Sequence, residues 1–118
     1  MKKLLIFAII FFVGCAQFIG SKNSKNLSLL KVGMDKSEAL QIMGTRTNYV
    51  FTNLLRVEPL NSPIRVEMIQ DKDGQTYEVL LYYTGLGKAL REDTQLTPIL
   101  CKNGKVVGWG WSFMKMLK

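Results

Sequence analysis

Residues 64–83 read IRVEMIQDKDGQTYEVLLYY. Two apolar-rich runs flank Asp73-Gly74, and Asp-Gly between such runs is a strong short-range hairpin signal. A two-residue turn there would pair Met68 with Val79, Val66 with Leu81 and Ile64 with Tyr83. Side chains alternate along a strand, so these six are predicted on one face, the core face. Arg65, Glu67 and Glu78 are predicted on the other. A four-residue turn over Asp71–Gly74 shifts the partners by two and keeps the same faces.

Asn103-Gly104 signals a second hairpin. It would pair Leu100 with Val107, Pro98 with Trp109 and Leu96 with Trp111, again on the core face. The opposite face carries Thr97, Ile99, Cys101, Gly108, Gly110 and Ser112. The two glycines leave that face flat, so another element can approach it closely. Pro98 lacks an N–H, which predicts an edge strand or an outward-facing position. Lys102 falls opposite Lys105 at the tip. Opposed like charges cost a little stability, so the tip is predicted to be solvated or beside an anion.

Upstream, Asp35 is a good helix N-cap, and Glu38 stands where a capping box needs it. Ala39, Leu40, Ile42 and Met43 make one apolar face, and Gly44 ends the helix. Leu27–Lys31 reads as a short helical turn. Thr45–Ser62 fits no single period and holds a strand or an ordered loop. Gly85–Gln95 is polar and charged, a loop with a helical turn at Lys88–Arg91.

The chain opens with Lys2-Lys3, an unbroken apolar run from Leu4 to Val13, and Gly14-Cys15. The run is too short for an ordinary membrane-spanning helix. It has the basic, apolar and small-residue layout of an export signal. Gly14-Cys15 resembles a bacterial lipobox, in which the signal is cut before the cysteine and the cysteine is lipidated. An ordinary cleaved signal and an uncleaved anchor are the competing readings. The lipobox reading divides the chain into a signal peptide, 1–14, a lipidated Cys15 with a flexible tether, 15–26, and one small domain, 27–118. Small and polar residues dominate the tether, among them Gly20-Ser21-Lys22-Asn23-Ser24-Lys25-Asn26.

Composition narrows the chemistry. The formal charge is +7, falling to about +5 without Lys2 and Lys3. The basic residues are scattered, which is no nucleic-acid footprint. In an exported protein the excess favours nearby anionic lipid or lipopolysaccharide, or simply serves solubility, which is the preferred reading. Histidine is absent, which removes Ser-His-Asp and Cys-His catalysis and the commonest transition-metal ligand. With Cys15 lipidated, Cys101 is alone and no internal disulfide is expected. Burial would raise its pKa and leave it inert.

Three apparent motifs fail. Gly85-Leu86-Gly87 begins a dinucleotide fingerprint, but Leu90 replaces its third glycine. Asp71–Gly74 begins a calcium loop, but its glycine comes too early and Tyr82 stands at the twelfth position. Glu67 and Glu78 are offset on a polar strand face, where surface charge explains them. No catalytic residue, metal ligand or cofactor is assigned. Ile69, Leu80 and Tyr82 beside Arg65 either form a partner-binding face or lie beneath the helices.

Leu30-Lys31-Val32-Gly33-Met34-Asp35-Lys36-Ser37-Glu38-Ala39, with Ile42-Met43-Gly44, resembles the opening signature of the SmpA/OmlA, or BamE-like, small lipoproteins. Gly33, Met34, Asp35, Glu38 and Gly44 carry it. Tyr82-Tyr83, Thr97-Pro98 and Gly104–Gly110 look like an uncharacterised branch of that superfamily. Thr45 follows Gly44 where the family usually has proline. The resemblance implies an α+β fold, two short N-terminal helices packed on a three- to four-stranded antiparallel sheet. It further implies a lipid-anchored, periplasm-facing outer-membrane lipoprotein that is not an enzyme. Its partners would be the membrane, through the lipid on Cys15, and an envelope protein. The expected role is structural or accessory to envelope and β-barrel assembly; the alternative is a periplasmic binding module or enzyme inhibitor.

Overall fold

The computed structural model describes residues 14–53, 56–85 and 92–117. In chain order these form β1 (Gly14–Cys15), α1 (Ala16–Leu27), α2 (Lys36–Met43), β2 (Thr47–Asn53), β3 (Arg56–Asn61), β4 (Arg65–Gln70), β5 (Thr76–Tyr83), a 3-10 turn (Asp93–Gln95), β6 (Leu96–Lys102), β7 (Lys105–Trp109) and α3 (Trp111–Leu117). Strands β4-β5-β6-β7 make one antiparallel sheet. Strands β2 and β3 make a separate antiparallel hairpin, with the two residues of β1 parallel to β2.

The class is α+β. Its details differ from the expectation in having two sheets, a helix over Ala16–Leu27 and a C-terminal helix. The signal peptide lies almost wholly outside the described residues, as does the helical turn expected at Lys88–Arg91.

Strands β5 and β6 are buried on both faces, which accounts for their continuous apolar runs. On one face Val79, Leu81, Tyr83, Leu96 and Leu100 pack with Ile19 of α1, Met114 of α3, and Val50 and Leu60 of the β2–β3 hairpin. On the other, Leu80, Tyr82, Ile99, Cys101 and Val106 pack with Leu30 and with Ala39 and Met43 of α2. Each large apolar side chain buried this way contributes about 1.5–3 kcal/mol.

The first hairpin departs from the predicted register by one residue. Glu67 stands opposite Val79 and Met68 opposite Glu78. The cause is Asp71. Its Oδ1 accepts the Asp73 and Gln75 amides, each at 2.9 Å, and its own amide reaches the Gln75 carbonyl at 2.9 Å. Gly74 takes the left-handed position, φ 80°, that closes a three-residue loop. Both expected turns had an even number of residues. The odd loop sends every β4 side chain to the other face. Val66 and Met68, expected in the core, are 53% and 64% exposed, while Arg65, Glu67 and Ile69 are half-buried.

The second hairpin turns at Asn103-Gly104 as predicted, with φ 52° and 75° and Lys102 opposite Lys105. A bulge between Leu100 and Cys101 then shifts the register, placing Leu100 opposite Gly108 and Ile99 opposite Trp109. The tryptophans are parted because β7 ends at Trp109 and the chain turns at Gly110, φ 97°: Trp109 packs on the α2 side of the sheet, and Trp111, the first residue of α3, on the other. The flat face expected from Gly108 and Gly110 with Ile99 and Cys101 is not formed: Gly108 stands opposite Leu100 and admits α3, while a Cβ on Gly110 would meet nothing within 4 Å. A Cβ on Gly108 would lie 2.7 Å from the Phe113 ring of α3. Pro98 sits in an inner strand, one residue beyond the last β7 pair, so its missing N–H interrupts no bond to β7. At the tip Lys105 pairs with Asp35, and Lys102 lies over the Tyr77 ring.

Candidate functional site

The residues singled out in the sequence fall at three places: the segment around Cys15, the Gly33–Gly44 segment and strands β4–β5.

After Cys15, the segment expected to be a tether is the helix α1, docked on the domain. Ile19 is buried in the core. Asn23, 4% exposed, donates through Nδ2 to the Tyr83 carbonyl at 2.9 Å, and Asn26 donates to the Ile42 carbonyl at 3.1 Å. Gly20 lets the helix approach the end of β5, since a Cβ there would lie 1.9 Å from the Gly85 carbonyl oxygen. Polar composition suggested solvated chain. Here the two asparagines satisfy main-chain carbonyls, a use that the alternation of Ile19, Asn23 and Leu27 at helical spacing could have signalled. At the helix start, Cys15 is paired in register with Phe51 of β2 and Gly14 with Val50.

The Gly33–Gly44 segment closes one edge of the main sheet. The Gly33 amide donates to the Val106 carbonyl at 2.7 Å, the Val106 amide to the Met34 carbonyl at 2.9 Å, and the Lys36 amide to the Gly104 carbonyl at 2.8 Å. These bonds occupy the outer side of β7, which would otherwise be an open edge. Asp35 has the extended backbone of an N-cap but makes no side-chain cap bond. Its carboxylate instead takes Lys105 Nζ at 2.5 Å, and this pairing holds the Lys105 pKa above its ordinary value. The reciprocal capping box is therefore not formed, and Glu38 is exposed. Gly44 ends α2, donating to the Leu40 carbonyl at 2.7 Å and accepting the Tyr82 hydroxyl at 2.7 Å.

The residues proposed as a partner-binding face are not brought together. Leu80 and Tyr82 are each 1% exposed, beneath α2. Arg65 and Ile69 lie on the opposite side of the sheet, by the one-residue register change. Arg65 pairs with Asp93 at 2.9 Å and with Glu67 at 3.1 Å. On the strands, the large apolar residues that are exposed are instead Val66 and Met68 on β4, an outer strand of the sheet, and Tyr49 and Val57 on the β2–β3 hairpin.

Titratable groups in the interior are held neutral. Burial pushes the Tyr82 phenol up to about 12, with a smaller contribution from Cys101. Burial likewise raises the Cys101 thiol, assisted by Glu78 and opposed by Lys36. Glu78 is ion-paired with Lys36. Glu67 and Glu78 lie on opposite faces of the sheet, so no shared carboxylate site exists between them. Among the described residues, no helix is long and apolar enough to cross a membrane. Nor does any group of three or more His, Cys, Asp and Glu converge as metal ligands. Searches against protein-family models, curated proteins and solved structures return no match to this chain.

Proposed function

We propose that this chain is a lipid-anchored protein of the bacterial envelope. Residues 1–14 are its signal peptide, and Cys15 carries the lipid. The domain faces the periplasm from the outer membrane and acts through protein contacts, in a structural or assembly-accessory role and not as an enzyme. One observation carries this reading: Gly14-Cys15 follows the basic Lys2-Lys3 and a short apolar run, Leu4 to Val13. The resemblance of Gly33-Met34-Asp35, Glu38 and Gly44 to the SmpA/OmlA signature supports the same class of lipoprotein. Metabolic labelling with palmitate tests the anchor. Label on the wild type and none on Cys15→Ala is expected; an unlabelled, freely soluble wild type removes the proposal. Affinity purification from membranes, compared with Cys15→Ala, tests the role through recovery of an envelope-assembly component.

A second reading, a periplasmic binding module or enzyme inhibitor, is favoured by Val66 and Met68. They project from an outer strand, where an extended segment of another protein can add main-chain hydrogen bonds and seat alternate side chains. Met68→Lys would abolish capture of such a partner while leaving membrane anchoring intact.

A further inference from the structure

We infer that the outer stripe of α1 lies against an anionic phospholipid surface, so that the domain is seated on the membrane and not suspended above it. This inference rests on the lipidated Cys15 proposed above. Phe18, Lys22, Lys25 and Leu29 recur at i, i+4, i+7 and i+11, which places them on one side of a helix. The last of them lies just past Leu27, where turn bonds from Ser28 to Lys25 and from Leu29 to Asn26 continue the helical path. All four are exposed, Phe18 by 67% and Leu29 by 57%. The opposite side of α1, with Ile19 and Asn23, is buried in the domain. A large aromatic and an aliphatic side chain interleaved with lysines is the outward pattern of a helix lying in a membrane interface.

Charge and continuity identify the occupant. From Cys15 to Met34 the sequence contains Lys22, Lys25 and Lys31 and no acidic residue. Val32, 69% exposed, adds a further apolar side chain beside Lys31. Phe18 is only about 3 Å along the helix axis from Ala16, the helical residue that follows Cys15. The acyl chains would therefore enter the bilayer within one helical turn of the first stripe residue. Because α1 is fixed by Ile19, Asn23 and the Gly20–Gly85 contact, the anchor sets the orientation of the whole domain as well as its location.

The test uses the lipidated protein in vesicles carrying a Leu29→Cys or a Met68→Cys substitution. Each is reacted with a membrane-impermeant maleimide. On vesicles containing phosphatidylglycerol, labelling of Leu29→Cys is expected to slow at least tenfold relative to detergent solution, while Met68→Cys is unchanged. Each lysine near an anionic surface contributes about fivefold in binding, so Lys22→Glu with Lys25→Glu, or high salt, should restore the labelling. Leu29→Cys that stays as reactive as Met68→Cys on a lipidated protein overturns the seating alone. Shielding that occurs in native membranes but not on protein-free vesicles assigns the stripe to a protein and likewise overturns it. Mass measurement of the same sample reports the lipid, and its absence overturns the anchor together with the seating.

Discussion

Gly20→Ala decides whether α1 is docked or free, because the two cases differ in sign. In an undocked helix, alanine in place of glycine stabilises by roughly 0.5–1 kcal/mol. In the docked helix the new Cβ would lie 1.9 Å from the Gly85 carbonyl oxygen and 2.8 Å from the Tyr83 ring. The first obstacle is main chain, so no rotamer change relieves it. Overpacking of this kind costs about 1–3 kcal/mol. The ceiling is what α1 gains by docking: about 2 kcal/mol from burial of Ile19 and about 1 kcal/mol from the Asn23–Tyr83 bond. Setting the propensity gain against this leaves a net loss of about 1–2 kcal/mol. Urea unfolding of the Cys15→Ala form, followed by the fluorescence of Trp109 and Trp111, should show a midpoint lower by about 1 M. An unchanged or raised midpoint would refute the docked helix and return Ala16–Asn26 to the status of a tether.

Leu80→Ala should lose about 2–4 kcal/mol in the same assay, whereas Met68→Ala should stay within about 0.5 kcal/mol; the reverse order would restore the even-turn register of β4. Tyr82 holds its phenolic proton more tightly in the fold than in the unfolded chain, with a folded pKa of about 12 against 10.0. Its contribution is therefore whole below pH 10 and is lost as pH rises towards 12. Tyr82→Phe should lower neutral-pH stability by about 1 kcal/mol through loss of the bond to Gly44. The variant should also flatten the alkaline slope, and an identical slope in the two proteins would contradict the assignment. Cys101 is buried and its thiol pKa is raised, so a disulfide reagent should modify it only at the rate of unfolding. Rapid modification of the native protein would show an open thiol.

Local chemistry made much of the main sheet legible. Asp73-Gly74 and Asn103-Gly104 marked the two turns that order β4 to β7, and Asp35 to Gly44 marked α2. What escaped was parity. The Asp71 carboxylate, accepting the Asp73 and Gln75 amides, sets an odd loop, and a bulge at Leu100/Cys101 inserts a residue; each exchanges inside for outside without altering hydropathy. The candidate face of Arg65, Ile69, Leu80 and Tyr82 failed partly for this reason, since the odd loop moves Arg65 and Ile69 to the other side, and partly because α2 covers Leu80 and Tyr82. The docked α1 escaped differently. Gly20, Ser21, Asn23 and Ser24 have the composition of a linker, and the carbonyls that Asn23 and Asn26 satisfy belong to residues distant in sequence. Asp35 was recognised as a cap by its position, but Lys105, 70 residues away, claims its carboxylate.

In the proposed anchor, Cys15 is the first residue of the mature protein and carries its lipid. Intact mass spectrometry of the protein extracted from membranes measures this directly. The account predicts a chain starting at Cys15, heavier than residues 15–118 by the lipid, and loss of that added mass in Cys15→Ala. A wild-type chain that retains residues 1–14, or that starts at Cys15 with no added mass, would contradict it.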